Sequence, residues 1–78
     1  MPKSNERVIH NRIVVFRAEN GISQKDLADQ LGVSRQTIIS LEKNRYNPSL
    51  KLAFEIAYLF GVELQEVFQY GEKKEELQ

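Results

Sequence analysis

"SQKDLADQLGVSRQTIISLEKNRYNP", residues 23–48, breaks at a glycine into two short segments whose apolar residues recur at helical spacing. In the first, Ser23 stands where a helix N-cap belongs, Asp26 follows three positions on, and Leu27, Ala28 and Leu31 form one apolar side. In the second, Ser34 is the cap and Ile38 and Leu41 point inward, so the spacing predicts a helix over 34–43 that stops before "NRYNP". Only Gly32 and Val33 separate the two. The second helix buries little and turns Arg35, Gln36, Ile39, Ser40 and Lys43 outward, with Ser34 and Thr37 near its N-terminal edge. A merely solvated face is more often a lattice of Glu and Lys pairs. Short hydroxyl and amide side chains with an arginine suit base edges instead: Arg pairs with guanine, Gln with adenine, and an alkyl group touches the thymine methyl.

Working outward, "NRIVVFRAEN" predicts a first helix over 11–20, with Ile13, Phe16 and Arg17 on one side, Val14 and Val15 flanking, and Gly21 as its C-terminal stop. Pro48 and Ser49 open a fourth helix whose Leu52, Ala53, Ile56, Ala57 and Phe60 make one broad stripe ending at Gly61. "ELQEVFQY", residues 63–70, predicts a short fifth helix with Leu64, Val67 and Phe68 at i, i+3, i+4, finishing at Gly71. "RVIH", residues 7–10, fits either an extended lead into the first helix or a short edge strand. The expected organisation is an N-terminal arm or strand over 1–10, one domain over 11–70 and a charged tail over 71–78.

Composition narrows the function classes. The 78 residues contain no cysteine and one histidine, which excludes disulfides, thiol catalysis and a histidine cluster. No set of carboxylates has metal-ligand spacing, and no serine sits in a nucleophile motif, so neither a cofactor nor an enzymatic activity is expected. "MPKSNER" lacks the apolar core of a signal peptide and no stretch is long enough to span a membrane, which points to the cytoplasm. The net charge of +0 hides an asymmetry: residues 1–51 hold nine Lys/Arg against five Asp/Glu (9 − 5 = +4), and residues 52–78 hold two against six (2 − 6 = −4). One end can face phosphate while the other turns away.

The L-A-x-x-L-G-V-S-x-x-T-I run, the L-E pair closing the 34–43 helix, the N-P-S lead into the next one and its L-A-x-x-I-A repeat resemble the XRE family of helix-turn-helix regulators. These are the phage repressor and Cro type. The likeness spans most of residues 11–70 and is strongest to small single-domain dimeric regulators of the cytolysin-repressor kind. It implies an all-α, five-helix repressor-like domain, with "RVIH" and "FQYG" as possible short paired strands. It also implies a transcriptional repressor binding double-stranded DNA; from the sequence itself, no membrane role is expected and no small-molecule effector pocket is evident, since nearly every apolar residue is needed for the core.

Residue by residue, the resemblance implies base reading by Ser34, Arg35, Gln36 and Ser40, and a phosphate contact from Gln24 at the head of the second helix. Thr37 and the loop Lys43, Asn44, Arg45, Tyr46 and Asn47 would lie along the sugar-phosphate backbone. Arg17 and Glu42 match a partly buried ion pair between the first and third helices. Ile39 departs from the polar residue usual in the family, and an exposed hydrophobe is the preferred reading over a methyl contact. Arg12 could reach phosphate or simply be solvated. Phe54, Tyr58 and Leu59 lie outside the main stripe of the fourth helix, as either edge-of-core packing or a dimer surface. The expected homodimer contact is Tyr58, Leu59, Val62 and Leu64. The alternative from another class is a protein-interaction module, an antitoxin or adaptor keeping the same fold, and the basic Lys43 and Arg45 argue against it.

Overall fold

The computed structural model describes residues 7–72; the expected tail beyond Glu72 and the first six residues lie outside them. The element order is β1 (Arg7–Asn11), α1 (Ile13–Asn20), α2 (Gln24–Leu31), α3 (Arg35–Glu42), α4 (Leu50–Phe60), α5 (Leu64–Val67) and β2 (Phe68–Glu72). Among the described residues there are therefore five helices, together with one antiparallel ribbon in which Arg7 faces Glu72 and Asn11 faces Phe68.

Three helices start on a serine whose hydroxyl accepts a backbone N–H that has no partner within the helix. Ser23 takes Asp26 N–H at 3.0 Å, Ser34 takes Thr37 N–H at 3.0 Å and Ser49 takes Leu52 N–H at 3.1 Å. The turn between α2 and α3 is made by Gly32, whose φ of 73° lies in the left-handed region. There Gly32 N–H reaches Asp29 O and Val33 N–H reaches Ala28 O, closing α2 tightly enough for Ser34 to start α3 two residues later.

Ile13, Phe16, Leu27, Ala28, Ile38, Leu41, Ile56, Ala57 and Val67 form one buried cluster to which every helix contributes. Phe60 closes one side, its ring stacked on Phe16 at 5.5 Å between centroids. Val14 and Val15, flanking in the sequence pattern, are exposed on α1.

Two boundaries differ from the sequence reading. The first helix begins at Ile13 instead of residue 11, because Asn11 is the last residue of β1 and its side-chain oxygen accepts Ile13 N–H at 3.1 Å. The fifth helix stops at Val67 instead of running to Tyr70. Phe68 to Glu72 pair with β1, Val67 O accepts Arg12 N–H at 2.9 Å, and the Gln69 amide donates to Gln65 O and Glu66 O, carbonyls left free at the helix end. Pairing with a distant strand thus overrides the helical spacing of Leu64, Val67 and Phe68.

Candidate nucleic-acid interface

α3 is held from beneath by Ile38 and Leu41, 0% and 1% exposed, and it presents Ser34, Arg35, Gln36 and Lys43 to solvent. Thr37 and Ser40 are half-buried at the edges of that face. Ile39 is also half-buried, where the sequence reading preferred an exposed hydrophobe. The polar groups partly satisfy one another, Ser34 Oγ lying 2.9 Å from Thr37 Oγ1 and Gln36 Nε2 lying 3.5 Å from Ser40 Oγ. Ser34 and Thr37 are thereby engaged at the N-cap, whereas Arg35 and Gln36 extend beyond it.

The C-terminus of α3 sets the loop that follows. Asn44 takes a φ of 56°, the left-handed conformation that Asn tolerates better than most residues. Its N–H reaches Leu41 O at 3.0 Å and Arg45 N–H reaches Ser40 O at 2.9 Å, the paired bonds of a Schellman stop. Lys43, Arg45, Tyr46 and Asn47 are exposed on this loop, next to the reading face. Asn44 itself is tied inward, its side-chain oxygen accepting from Asn11 Nδ2 at 3.0 Å.

Asn11 is the residue that sequence reasoning missed. Its amide also donates to Leu41 O at 2.7 Å, so one side chain turns the chain into α1 by accepting Ile13 N–H, fastens the end of α3 and holds the loop. The available signal was an Asn just ahead of the first helix, since an Asn side chain readily accepts the backbone N–H two positions on.

Arg17 and Glu42 are joined across α1 and α3. Arg17 Nε donates to Glu42 Oε2 at 2.7 Å, Nη2 to Oε1 at 3.4 Å and Nη1 to Ile22 O at 3.1 Å. Their side chains are 18% and 7% exposed, so the pair is largely withdrawn from water and its charges depend on each other. Gln24, at the first turn of α2, gives its amide N–H to Glu42 Oε1 at 2.9 Å and accepts from Arg35 Nη2 at 3.4 Å. Arg12 lies with its guanidinium 5.3 Å above the Phe16 ring, a stacked position that covers the core edge. Lys25, the basic residue of α2, is hydrogen-bonded to Asp29 at 3.0 Å, and that bond raises its pKa above the usual lysine value.

On α4, Phe54 is 52% and Tyr58 88% exposed. They line an open groove of about 730 Å³ with Lys51, Val62, Glu63 and Leu64. Leu59, Val62 and Leu64 are half-buried against the core, which leaves Tyr58 the most accessible of the four residues expected at a dimer contact. Among the described residues there is no group of His, Cys, Asp and Glu able to hold a metal ion, and no helix long and apolar enough to cross a membrane.

Two closely joined, serine-capped helices with the second turned outward define a helix-turn-helix protein, and the family comparison agrees. The Helix-turn-helix family model matches residues 15–67, and the chain belongs to that family of DNA-binding transcriptional regulators rather than to any enzyme class. It is 55% identical over 60 residues to an HTH-type transcriptional regulator of Methanocaldococcus jannaschii, covering 77% of this chain and 91% of that one. An immunity repressor of Bacillus phage phi105 is 30% identical over 76% of this chain and 41% of its own length. Among solved structures, one from Bacteroides fragilis described as a DNA-binding protein superposes with a TM-score of 0.72 at 32% identity, covering 80% of this chain and all of that one.

Proposed function

We propose that this regulator is a cytoplasmic repressor that binds an inverted-repeat operator as a homodimer, laying α3 of each copy in the major groove. The observation that carries the reading is the division of α3. Ile38 and Leu41 are fully buried, while Arg35 and Gln36 are exposed on the outer side, as are Lys43 and Arg45 of the basic loop that follows. Arg35 suits guanine and Gln36 adenine, with Ser34 and Ser40 as shorter partners at the same edges. Gln24, Thr37, Lys43, Arg45, Tyr46 and Asn47 border the groove and suit phosphate, and Asn44 supports them by fixing the loop. Repression is favoured by the likeness to the phage immunity repressor.

A lone α3 covers only a few base pairs, so specificity calls for two copies whose reading helices enter successive major grooves about 34 Å apart. Tyr58 and Phe54, with the half-buried Leu59, Val62 and Leu64, supply apolar surface on α4 and the start of α5. Base readers and phosphate readers separate in binding measurements on matched and mismatched duplexes across salt concentrations. Arg35→Ala or Gln36→Ala is expected to lose roughly 1–3 kcal/mol on the matched duplex and to relax preference at one or two base pairs. Arg45→Ala is expected to weaken all sequences alike and to reduce the salt slope by about one unit. Equal loss on every sequence for Gln36→Ala removes it from the reading set.

A further inference from the structure

Among the asparagines of the chain, Asn20 alone precedes a glycine. With no side chain on the next residue, the backbone nitrogen of Gly21 meets little steric barrier to attack on the Asn20 side-chain carbonyl carbon. That attack forms a bond between the Gly21 nitrogen and Asn20 Cγ. Nδ2 leaves as ammonia, taking up the proton that Gly21 N–H gives up, and a succinimide ring remains. Water opens the ring at either of its carbonyl carbons, giving aspartate at one and isoaspartate at the other. The sum is a water taken up and an ammonia released.

The fold opposes the first step by conformation, since Asn20 is exposed to water. Asn20 is the last residue of α1, its Nδ2 donates to Phe16 O at 2.7 Å, and Gly21 N–H is held on Ala18 O at 3.3 Å. The leaving group is thus turned back along the helix. The attacking nitrogen is engaged in a left-handed cap, Gly21 having a φ of 65°. Ile22 N–H closes that cap on Arg17 O at 3.0 Å, and Ile22 O accepts Arg17 Nη1 at 3.1 Å. The same turn therefore anchors the arginine that clamps Glu42.

We propose that Asn20–Gly21 is a site of spontaneous deamidation held shut by the C-terminal cap of α1, converting when that helix end opens and then unfastening the Arg17 anchor. Opening of one helix end needs no global unfolding. Neither product fits the closed cap. A carboxylate cannot donate to Phe16 O, and it adds negative charge where the free carbonyls of a helix end already carry partial negative charge. Isoaspartate also lengthens the backbone by a methylene, which displaces the two cap bonds and Ile22 O with them. The disturbance passes through Arg17 to Glu42 at the end of α3. The expected loss of DNA binding rests on the function proposed above; the chemistry does not.

The test incubates the full chain at mildly alkaline pH with and without guanidinium chloride, then digests it with trypsin and labels the products with an isoaspartyl methyltransferase. Conversion should be fastest in the peptide 18–25, and at least about ten-fold slower there in the folded chain than in denaturant. Equal rates in the two conditions overturn the gating by the cap. No conversion in denaturant, or faster conversion at another asparagine, overturns the site. Asn20→Gln, whose cyclisation needs a larger ring, should abolish labelling of that peptide, and persistent labelling also overturns the site. Asn20→Asp stands for one of the products. It should melt at lower temperature and bind all duplex sequences more weakly, and a melt equal to that of the unaltered chain overturns the claim that deamidation opens the cap. If the unaltered chain binds no duplex, the DNA reading fails, while the melt and the labelling still decide the site.

Discussion

The α2–α3 unit and the α4–α5 end bury the same kind of core but expose opposite chemistry. Around α3 the exposed groups are short, polar and basic, and many are hydrogen-bonded to each other, as with Ser34 and Thr37 or Gln24 and Arg35. Around α4 they are Phe54 and Tyr58 among Glu55 and Glu63. Ile38 and Ile56, both 0% exposed, do equivalent work beneath the two surfaces. The difference teaches that burial builds the scaffold, while the residues left outside it mark which surface meets a charged duplex and which suits another apolar surface. A basic first part and an acidic second part reinforce the division.

The core beneath the reading helix offers the largest effect. Ile38→Ala is expected to cost about 2–5 kcal/mol in urea denaturation, much of the stability of so small a domain. A loss below about 1 kcal/mol would mean that α3 is not seated by Ile38. Next comes the clamp: Glu42→Ala leaves Arg17 partly desolvated and is expected to cost about 1–3 kcal/mol, and replacing both residues with apolar ones should recover much of that. Additive losses in the two singles and the double would show that the pair is not coupled. Smaller again is Asn11→Ala, at about 1 kcal/mol for the lost side-chain hydrogen bonds, with weaker DNA binding on all sequences because the loop after α3 loses its tie. An unchanged melt and unchanged affinity would remove Asn11 from the account. At the other surface, Tyr58→Ser should leave the stability of a single copy within about 0.5 kcal/mol, since the ring is 88% exposed. Sedimentation should nevertheless show the dimer dissociating at lower dilution than the unaltered chain; an unchanged association constant would place the contact elsewhere.

The helices were legible because their signals are local. Ser23, Ser34 and Ser49 act within three residues of themselves, and Gly21, Gly32 and Gly61 stop the chain where they stand. The ribbon was only half legible, because "RVIH" and "FQYG" become strands by finding each other from opposite ends of the described chain. The same distance hid Asn11, whose bond to Leu41 O spans 30 positions. Within the interface, the outward face of α3 followed from periodicity. The partners of Gln24 did not, since no spacing rule says that an amide at the head of α2 will meet a carboxylate at the end of α3.

Selection of bound sequences from a random duplex pool tests the division of the molecule most directly, because base reading by α3 and pairing through the α4–α5 end must both leave a mark in the selected DNA. The predicted product is an inverted repeat whose half-sites are centred about one helical turn, roughly 10–10.5 base pairs, apart. Enrichment of a single asymmetric half-site, or no enrichment at all, would contradict it.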